Sequence, residues 1–202
     1  MKTTPVTVSL VVALLVVFAL EVATGSVRNE SRLLLLGALP NTAELNGQYW
    51  RLATYAFLHY NWSHLLMNVA LLWWVGHIVE RRVGVTRAAL IYAGSVVFAA
   101  LLILLVHSLR PKPGSTVGAS GGIFGLLAAA LVLVYRRDAA AFGADRALRI
   151  GLWVCLLVAV CISLLPGVSI AGHLAGFLWG LLLGLFLRVK HNAEQIVGRE
   201  RR

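Results

Sequence analysis

Six runs of apolar residues, each long enough for a helix of four turns or more, dominate this 202-residue chain. A helix that crosses a bilayer needs about 20 apolar residues. The chain is 59% hydrophobic and only 13% charged, whereas a soluble domain is about half apolar and a quarter charged. The sequence therefore predicts an all-α polytopic membrane protein, folded as a single domain over residues 1–202. The predicted helices cover residues 6–23, 62–80, 88–107, 120–135, 147–165 and 170–189.

The first apolar run has a second interpretation. Lys2, an apolar core and small residues near Ala23 also fit a cleaved signal peptide. The run is long for a signal peptide, which favours a retained transmembrane helix.

The lysines and arginines predict how the helices run, because basic residues concentrate in cytoplasmic loops. With the N-terminus inside, the inner segments hold thirteen of the 18 basic residues, including Arg136, Arg137 and a basic tail over residues 190–202. We therefore expect a multi-pass protein of the plasma membrane with both termini in the cytoplasm. This topology also explains the net charge of +10. Because the charges lie in short loops and in the tail, no nucleic-acid-binding face is expected.

The segment that joins the first two helices, residues 24–61, is long and apolar for a loop. Its apolar residues include Leu33–Leu36, Trp50, Tyr55, Phe57 and Tyr60. We expect this large first loop to lie at the membrane interface, with its aromatic rings at headgroup level. A packed cap over the helix bundle is an alternative, and the two interpretations are compatible.

Polar residues recur at one predicted depth. The second, fourth and sixth helices all enter from the outer side, and their first turns contain His64, Asn68, Ser120 and His173. His64 and Asn68 are four residues apart and share a helix face. Polar side chains at membrane depth are costly and usually functional. The sequence therefore predicts one shared site that opens to the outside.

The fourth predicted helix is too short to cross the whole bilayer. Its sixteen residues span about 24 Å, against about 30 Å of hydrocarbon. If its inner end lies at the cytoplasmic surface, Ser120 lies below the outer surface, and the glycine-rich residues 114–118 descend to meet it. Irregular backbone at that depth must be buried in protein or line a wet cavity. We therefore expect a water-filled hollow above Ser120.

Glycines in the sixth predicted helix repeat every four residues and form a smooth stripe. They are Gly172, Gly176, Gly180 and Gly184. Small residues at this spacing let two membrane helices pack backbone to backbone. Such packing against the fourth helix would bring His173 within reach of Ser120. Glycine stripes are also ordinary packing devices, so this pattern alone does not indicate catalysis.

A serine and a histidine within reach of each other are the minimum for nucleophilic catalysis, because a base must take the hydroxyl proton. The eight acidic residues lie in loops, at helix ends or in the tail, so a dyad is expected rather than a triad. Phe124, one turn after Ser120, is expected to hold the imidazole by ring packing. Backbone N–H groups at the start of the helix, with His64 and Asn68, are expected to stabilise an oxyanion.

Other interpretations of the same residues are weaker. A lone serine or histidine in a membrane helix is usually a packing residue. A zinc site from His59, His64 and His173 lacks an HExxH pattern and a carboxylate ligand, so no metal or cofactor is expected. A transporter or channel is disfavoured because the polar residues occupy only the outer half of the spans. The arrangement at a single depth is what favours catalysis.

At these residues the chain resembles the rhomboids, a family of intramembrane serine proteases, in their bacterial-type six-helix form. Four motifs in order carry the resemblance. They are a Trp-Arg pair at Trp50 and Arg51, HxxxxHxxxN at His59, His64 and Asn68, GxSG at Gly118–Gly121, and HxxGxxxG at His173, Gly176 and Gly180.

The resemblance implies a serine endopeptidase that cleaves other membrane proteins in or near their transmembrane segments. It makes Ser120 the nucleophile and His173 the general base. The implied oxyanion hole comprises His64, Asn68 and the Ser120 amide, shaped by Gly118. Residues implied to give structural support are Trp50, Arg51, His59, Phe124, Gly121, Gly176 and Gly180.

Two residues depart from the family pattern, since Gly172 replaces a frequent Ala and Phe124 a frequent Tyr. The resemblance also implies that the loop 165–168 is a mobile cap over the site. A catalytically inactive relative that only binds membrane proteins is the alternative within the family. The physiological substrate, the substrate gate and the oligomeric state stay open at this point.

Overall fold

The computed structural model describes residues 3–42, 44–135 and 146–186. Helices account for most of this part of the chain, and two very short strands lie in its connections. In chain order the elements are α1 (Pro5–Ala23), α2 (Glu30–Leu36), β1 (Leu39–Pro40), α3 (Arg51–Thr54), a 3₁₀ turn (Tyr55–Phe57), α4 (Trp62–Val83), α5 (Val85–Leu109), β2 (Ser115–Thr116), α6 (Ser120–Tyr135), α7 (Arg146–Ser163) and α8 (Ile170–Phe186).

Six of these helices are long and apolar, which makes the chain an all-α polytopic membrane protein. By length and composition, α1, α4, α5 and α7 can each cross a membrane, whereas α6 and α8 are apolar but shorter. The described helices differ from the predicted ones by a few residues at their ends. The predicted end of the sixth helix at residues 187–189, the basic tail 190–202, and Lys2, Arg136 and Arg137 lie outside the described residues.

The second helix extends three residues beyond its predicted end. It continues to Val83, and α5 begins at Val85, so the two helices are separated by Gly84 alone. The φ angle of Gly84 is +91°, a backbone conformation that glycine adopts without steric cost. The basic residues Arg81 and Arg82 thus belong to the last turn of α4 rather than to a loop.

The shortest of the six helices, α6, lies at the centre of the bundle. Nearly all of its residues are buried, including its glycines and alanines, as expected for a helix that is apolar on every side. It packs against α8, α5 and α4. By contrast, only 17% of the span in α7 is buried, so α7 is the most lightly packed of the four long spans.

The glycine stripe brings α8 and α6 into backbone contact. A Cβ atom added at Gly176 would overlap the carbonyl group of Gly121, and one added at Gly180 would overlap that of Gly125. Only glycine can occupy either position at this separation of the helices. The predicted close approach of the fourth and sixth helices is therefore present.

A buried carboxylate fixes α1 against α4 at the end of the bundle away from Ser120. Glu80 accepts hydrogen bonds from the backbone N–H groups of Val6 and Thr7, at 2.9 and 2.8 Å, and from the Thr7 hydroxyl at 2.7 Å. It thereby satisfies N–H groups that the first turn of a helix leaves unpaired. The small Gly76, one turn earlier on α4, leaves room for Thr7.

The first loop contains short helices and a strand that the sequence analysis did not predict. It contains α2, α3 and the 3₁₀ turn, and β1 pairs antiparallel with β2, so that Leu39 faces Thr116. This pairing fastens the loop to the segment that leads to Ser120. The Tyr55 ring packs inside the protein, as the alternative of a packed cap implies: Tyr55 is only 2% exposed, and its hydroxyl donates to the Val96 carbonyl at 2.8 Å. Trp50 and Leu35 are exposed, as expected of an interfacial loop.

Candidate active site

Ser120 and His173 lie in direct contact. Ser120 is the first residue of α6 and His173 lies in the first turn of α8, and the backbone contact between these helices sets their separation. The Ser120 Oγ and His173 Nε2 atoms are 2.7 Å apart, which is a short hydrogen bond. His173 is buried and Ser120 is partly exposed to the cavity described below.

Phe124 packs flat against the imidazole of His173. The ring centroids are 4.3 Å apart and the planes differ by 14°. Phe124 lies one helical turn after Ser120, so a single helix supplies both the hydroxyl and the surface against which the imidazole rests. The ring packing that the sequence predicted is present.

The other ring nitrogen of His173 contacts a residue that the sequence analysis missed. His173 Nδ1 lies 2.7 Å from the hydroxyl oxygen of Ser163, the last residue of α7. Ser163 is itself buried. A signal for it was present in the sequence: the predicted topology alternates, so the last turn of the fifth helix is expected at the same depth as the first turns of the second, fourth and sixth helices. The sequence predicted ring packing by Phe124 as the support of the imidazole, and no hydroxyl partner for its second nitrogen.

His64 and Asn68 lie on the face of α4 that is turned towards the start of α6. The N-cap residue Asn61 fixes the start of α4 by accepting the His64 N–H at 2.9 Å. A Cβ added at Gly118 would lie 2.7 Å from the His64 ring and 3.9 Å from Asn68 Nδ2. Gly118, with a φ of +125°, thus lets the backbone before Ser120 approach both side chains.

His59 supports His64 from behind. The two imidazole rings meet edge to face with centroids 4.9 Å apart. His59 is fully buried, its backbone N–H donates to Glu21 Oε1 at 2.9 Å, and its Nδ1 lies 3.3 Å from the Phe57 carbonyl oxygen. Burial first, and then the nearby His64, lower the pKa of His59 from 6.5 to about 3, although the Phe57 carbonyl opposes the shift. The ring is therefore neutral at pH 7.

Arg51 organises the first loop. Its Nη1 donates to the carbonyl oxygens of Leu34 and Ala38, at 2.6 and 2.7 Å, and its Nε donates to Gln48 Oε1 at 2.6 Å. The side chain thereby joins the end of α2 to the start of α3. Trp50, which the resemblance grouped with Arg51, has a side chain that is 58% exposed and lies apart from the cavity lining.

Tyr55 links this loop to the site. Its backbone carbonyl accepts the N–H of Gly118 at 2.9 Å, and its side chain lines the cavity. Burial, with a smaller effect from the neighbouring Tyr92, raises the pKa of the Tyr55 phenol, which therefore stays protonated and donates to Val96. Tyr55 is thus a second residue whose contribution the sequence analysis did not identify.

A cavity of about 700 Å³ lies above the serine and the histidine. Its polar residues include His64, Asn68, Ser120 and His173, and most of its remaining surface is apolar. The loop 165–168, which the resemblance implied to be a cap, contributes to the wall, as do Met67 of α4 and Cys155 of α7. Within the described residues, no cluster of three or more His, Cys, Asp or Glu side chains is arranged to hold a metal ion.

The geometry thus brings together in one cavity a serine hydroxyl, an imidazole in contact with it, an aromatic ring that supports the imidazole, and side chains that can donate hydrogen bonds. A family model of the rhomboid domain matches residues 46–190, which is more than half of the chain. The chain belongs to the rhomboid family. The resemblance given by the four motifs is therefore confirmed at the level of the family.

Named rhomboid relatives align with a shorter part of the chain. The chain is 40% identical over 118 residues to the Rhomboid protease GluP of Bacillus subtilis (strain 168), and this alignment covers 58% of the chain and 22% of GluP. It is 38% identical over 88 residues to the human Rhomboid-related protein 3, covering 44% of this chain and 21% of the relative. It is 31% identical over 94 residues to the Rhomboid protease GlpG of Yersinia pestis (strain Pestoides F), and this alignment covers 46% of this chain and 32% of GlpG. The chain therefore spans less than a third of the length of these rhomboid relatives.

Proposed function

We propose that this rhomboid is a serine endopeptidase that cleaves membrane proteins in or near their transmembrane segments. The observation that carries the proposal is the 2.7 Å contact between Ser120 Oγ and His173 Nε2 at a cavity inside a membrane protein. The relatives GluP and GlpG bear the name rhomboid protease. The protein would need no cofactor for this chemistry.

In the proposed reaction, His173 Nε2 takes the hydroxyl proton as Ser120 Oγ attacks the scissile carbonyl carbon. The resulting imidazolium then protonates the leaving amine, and the C–N bond breaks to leave an acyl ester on Ser120. A water molecule from the cavity hydrolyses this ester, with His173 again acting as the base. Both steps need the imidazole in a fixed plane, which the stacking on Phe124 supports.

The tetrahedral intermediate carries a negative charge that needs preorganised donors. We assign this role to the backbone N–H of Ser120 and to the side chains of His64 and Asn68, with Gly118 allowing their approach. Asn68 Nδ2 donates one hydrogen to the His64 carbonyl at 3.0 Å, which leaves its second hydrogen for the oxyanion. The positive end of the α6 dipole would add to this stabilisation.

Arg51, His59, Gly121, Gly176 and Gly180 would act by holding these groups in place. Arg51 fastens the first loop, His59 backs the His64 ring, and the three glycines set the distance between α6 and α8. For Trp50 we retain only a role within the loop, since its backbone carbonyl accepts from Ala53 and Thr54.

The proposed substrate is a transmembrane segment of another protein, unwound near the cavity so that a peptide bond can reach Ser120. We further propose a multi-pass protein of the cell membrane with cytoplasmic termini and a cavity that faces outward. The distribution of thirteen basic residues inside against five outside supports this orientation. An inactive relative is the alternative, but the contact between an intact serine and histidine favours activity.

The test is cleavage of a reporter membrane protein by the purified protein in liposomes. The reporter should carry small, helix-breaking residues at the outer end of its transmembrane segment. Wild type should cleave it, and Ser120→Ala should fold normally and leave it intact. Ser108→Ala is the matched control, because Ser108 is exposed and only donates within its own helix to Leu105. Equal cleavage by Ser120→Ala would exclude Ser120 as the nucleophile.

A further inference from the structure

The contact between Ser163 and the His173 imidazole has no role in the dyad mechanism. Its hydroxyl oxygen lies 2.7 Å from His173 Nδ1 and 2.7 Å from the carbonyl oxygen of Ala159, one helical turn earlier on α7. Both contacts are buried. A serine that bonds back to the carbonyl four residues earlier is common in helices, so the Ala159 contact alone would be unremarkable in function.

The two contacts together fix the direction of the hydrogen bonds. A carbonyl oxygen can only accept, so the single Ser163 proton points to Ala159. In the other contact the Ser163 oxygen must then accept, and the proton of the neutral imidazole lies on Nδ1. His173 Nε2 is left bare, and it faces the Ser120 hydroxyl at 2.7 Å. A series of three hydrogen bonds therefore links Ser120 to His173, His173 to Ser163, and Ser163 to the Ala159 carbonyl.

We propose that Ser163 is a positioning residue that holds His173 in the tautomer able to deprotonate Ser120. This inference rests on the proposed function. Ser163 takes the place that a carboxylate has in a Ser-His-Asp triad, where the third group fixes the imidazole tautomer and stabilises the imidazolium. Because Ser163 is neutral, its effect is smaller than that of a carboxylate. Phe124 fixes the plane of the ring by stacking, and Ser163 fixes which nitrogen carries the proton.

The structural context supports a role beyond packing. Few residues of α7 are buried: they are Leu152, Ala159 and Ser163 among the described residues of this helix. Ser163 is the polar residue of these three, and it contacts the His173 imidazole. The hydrogen bond to the Ala159 carbonyl alone would satisfy the Ser163 proton, so the additional contact with His173 is not required by packing within α7.

The test combines kinetics with a spectroscopic signature. Ser163→Ala should lower kcat for the reporter by roughly 10- to 100-fold, the range for losing one hydrogen bond to a developing charge, and should leave KM nearly unchanged. Ser163→Thr keeps the hydroxyl and should restore most of kcat. Cys161→Ala is the matched control on the same helix, because Cys161 is exposed and its replacement should leave kcat unchanged.

The tautomer can be read in the wild-type protein itself. In protein labelled with ¹⁵N-histidine, NMR at neutral pH should find the His173 proton on Nδ1, with the signal assigned by its loss in His173→Gln. A proton on Nε2 would overturn the inference, as would equal kcat for Ser163→Ala and wild type. Absence of any cleavage by wild type would instead refute the proposed function, and the NMR result would still decide the tautomer.

Discussion

Replacing Gly176 with alanine should separate the two helices that carry Ser120 and His173. The new Cβ would lie 2.8 Å from the carbonyl carbon of Gly121, whereas carbon atoms in contact rest at about 3.5–4.0 Å. Both partners are helix backbone, so no side-chain rotation can relieve the overlap. The helix α8 must therefore move away from α6 by roughly 1 Å.

The displacement has two consequences of different size. Overpacking of this kind costs about 1–3 kcal/mol of stability, which leaves much of the protein folded. The same displacement would lengthen the 2.7 Å contact between Ser120 and His173 towards the limit of a hydrogen bond. A misplacement of about 1 Å at reacting groups can lower the rate by about 100-fold. Activity should therefore fall much further than stability.

The experiment compares Gly176→Ala with Gly184→Ala, two turns further along the same stripe. A Cβ at Gly184 would lie 3.1 Å from Ala129 Cα and from Val132 Cβ, so its neighbours need to yield by only a few tenths of an ångström. Unfolding in detergent and cleavage of the reporter would be measured for both variants. Gly184→Ala should stay close to wild type in both. Wild-type cleavage by Gly176→Ala would refute the argument that backbone contact sets the geometry of the site.

Three further predictions concern the surroundings of Ser120. Asn68→Ala should lower kcat by roughly 100-fold with little change in unfolding, because the oxyanion exists only during turnover; an unchanged rate would remove Asn68 from the oxyanion hole. Arg51→Leu should destabilise the first loop, seen as faster proteolysis there, because two carbonyl groups lose their donor; unchanged proteolysis would contradict this. The pKa of His59 is lowered from 6.5 to about 3 in the folded protein, so between these pH values the unfolded chain binds a proton that the folded protein does not. The free energy of unfolding should therefore be unaffected by His59 above about pH 6.5 and should fall by about 1.4 kcal/mol per pH unit as the pH drops towards 3. Unfolding of His59→Asn should depend less steeply on pH over this range, and an equal slope would exclude His59 as the source.

The site was predictable where residue spacing alone places side chains. The even number of spans between Asn68, Ser120 and His173 requires their helices to start on one side, and the glycine stripe then requires close contact between two of them. Phe124 follows from the helical repeat. Topology and periodicity suffice for these predictions, and both can be read from the spacing of residues in the sequence.

The missed residues depend on packing that the sequence does not state. Ser163 contacts His173 because the end of α7 lies beside the start of α8, and a lone serine in an apolar run does not reveal its neighbour. For Tyr55 the sequence left an interfacial ring and a packed cap both open, because it does not show that β1 pairs with β2 or that the Tyr55 ring is buried. The ends of α4 and α5 were misjudged because Gly84 alone suffices to separate them.

The most direct test of the central claim is covalent labelling of the protein by a fluorophosphonate probe, with the modified residue identified by mass spectrometry. An activated serine reacts with such probes, whereas an ordinary hydroxyl does not, since it lacks a base to take its proton. Wild type should be labelled at Ser120, and His173→Ala should fold but escape labelling. Equal labelling of Ser120 in both proteins would show that His173 does not activate it, and would contradict the account.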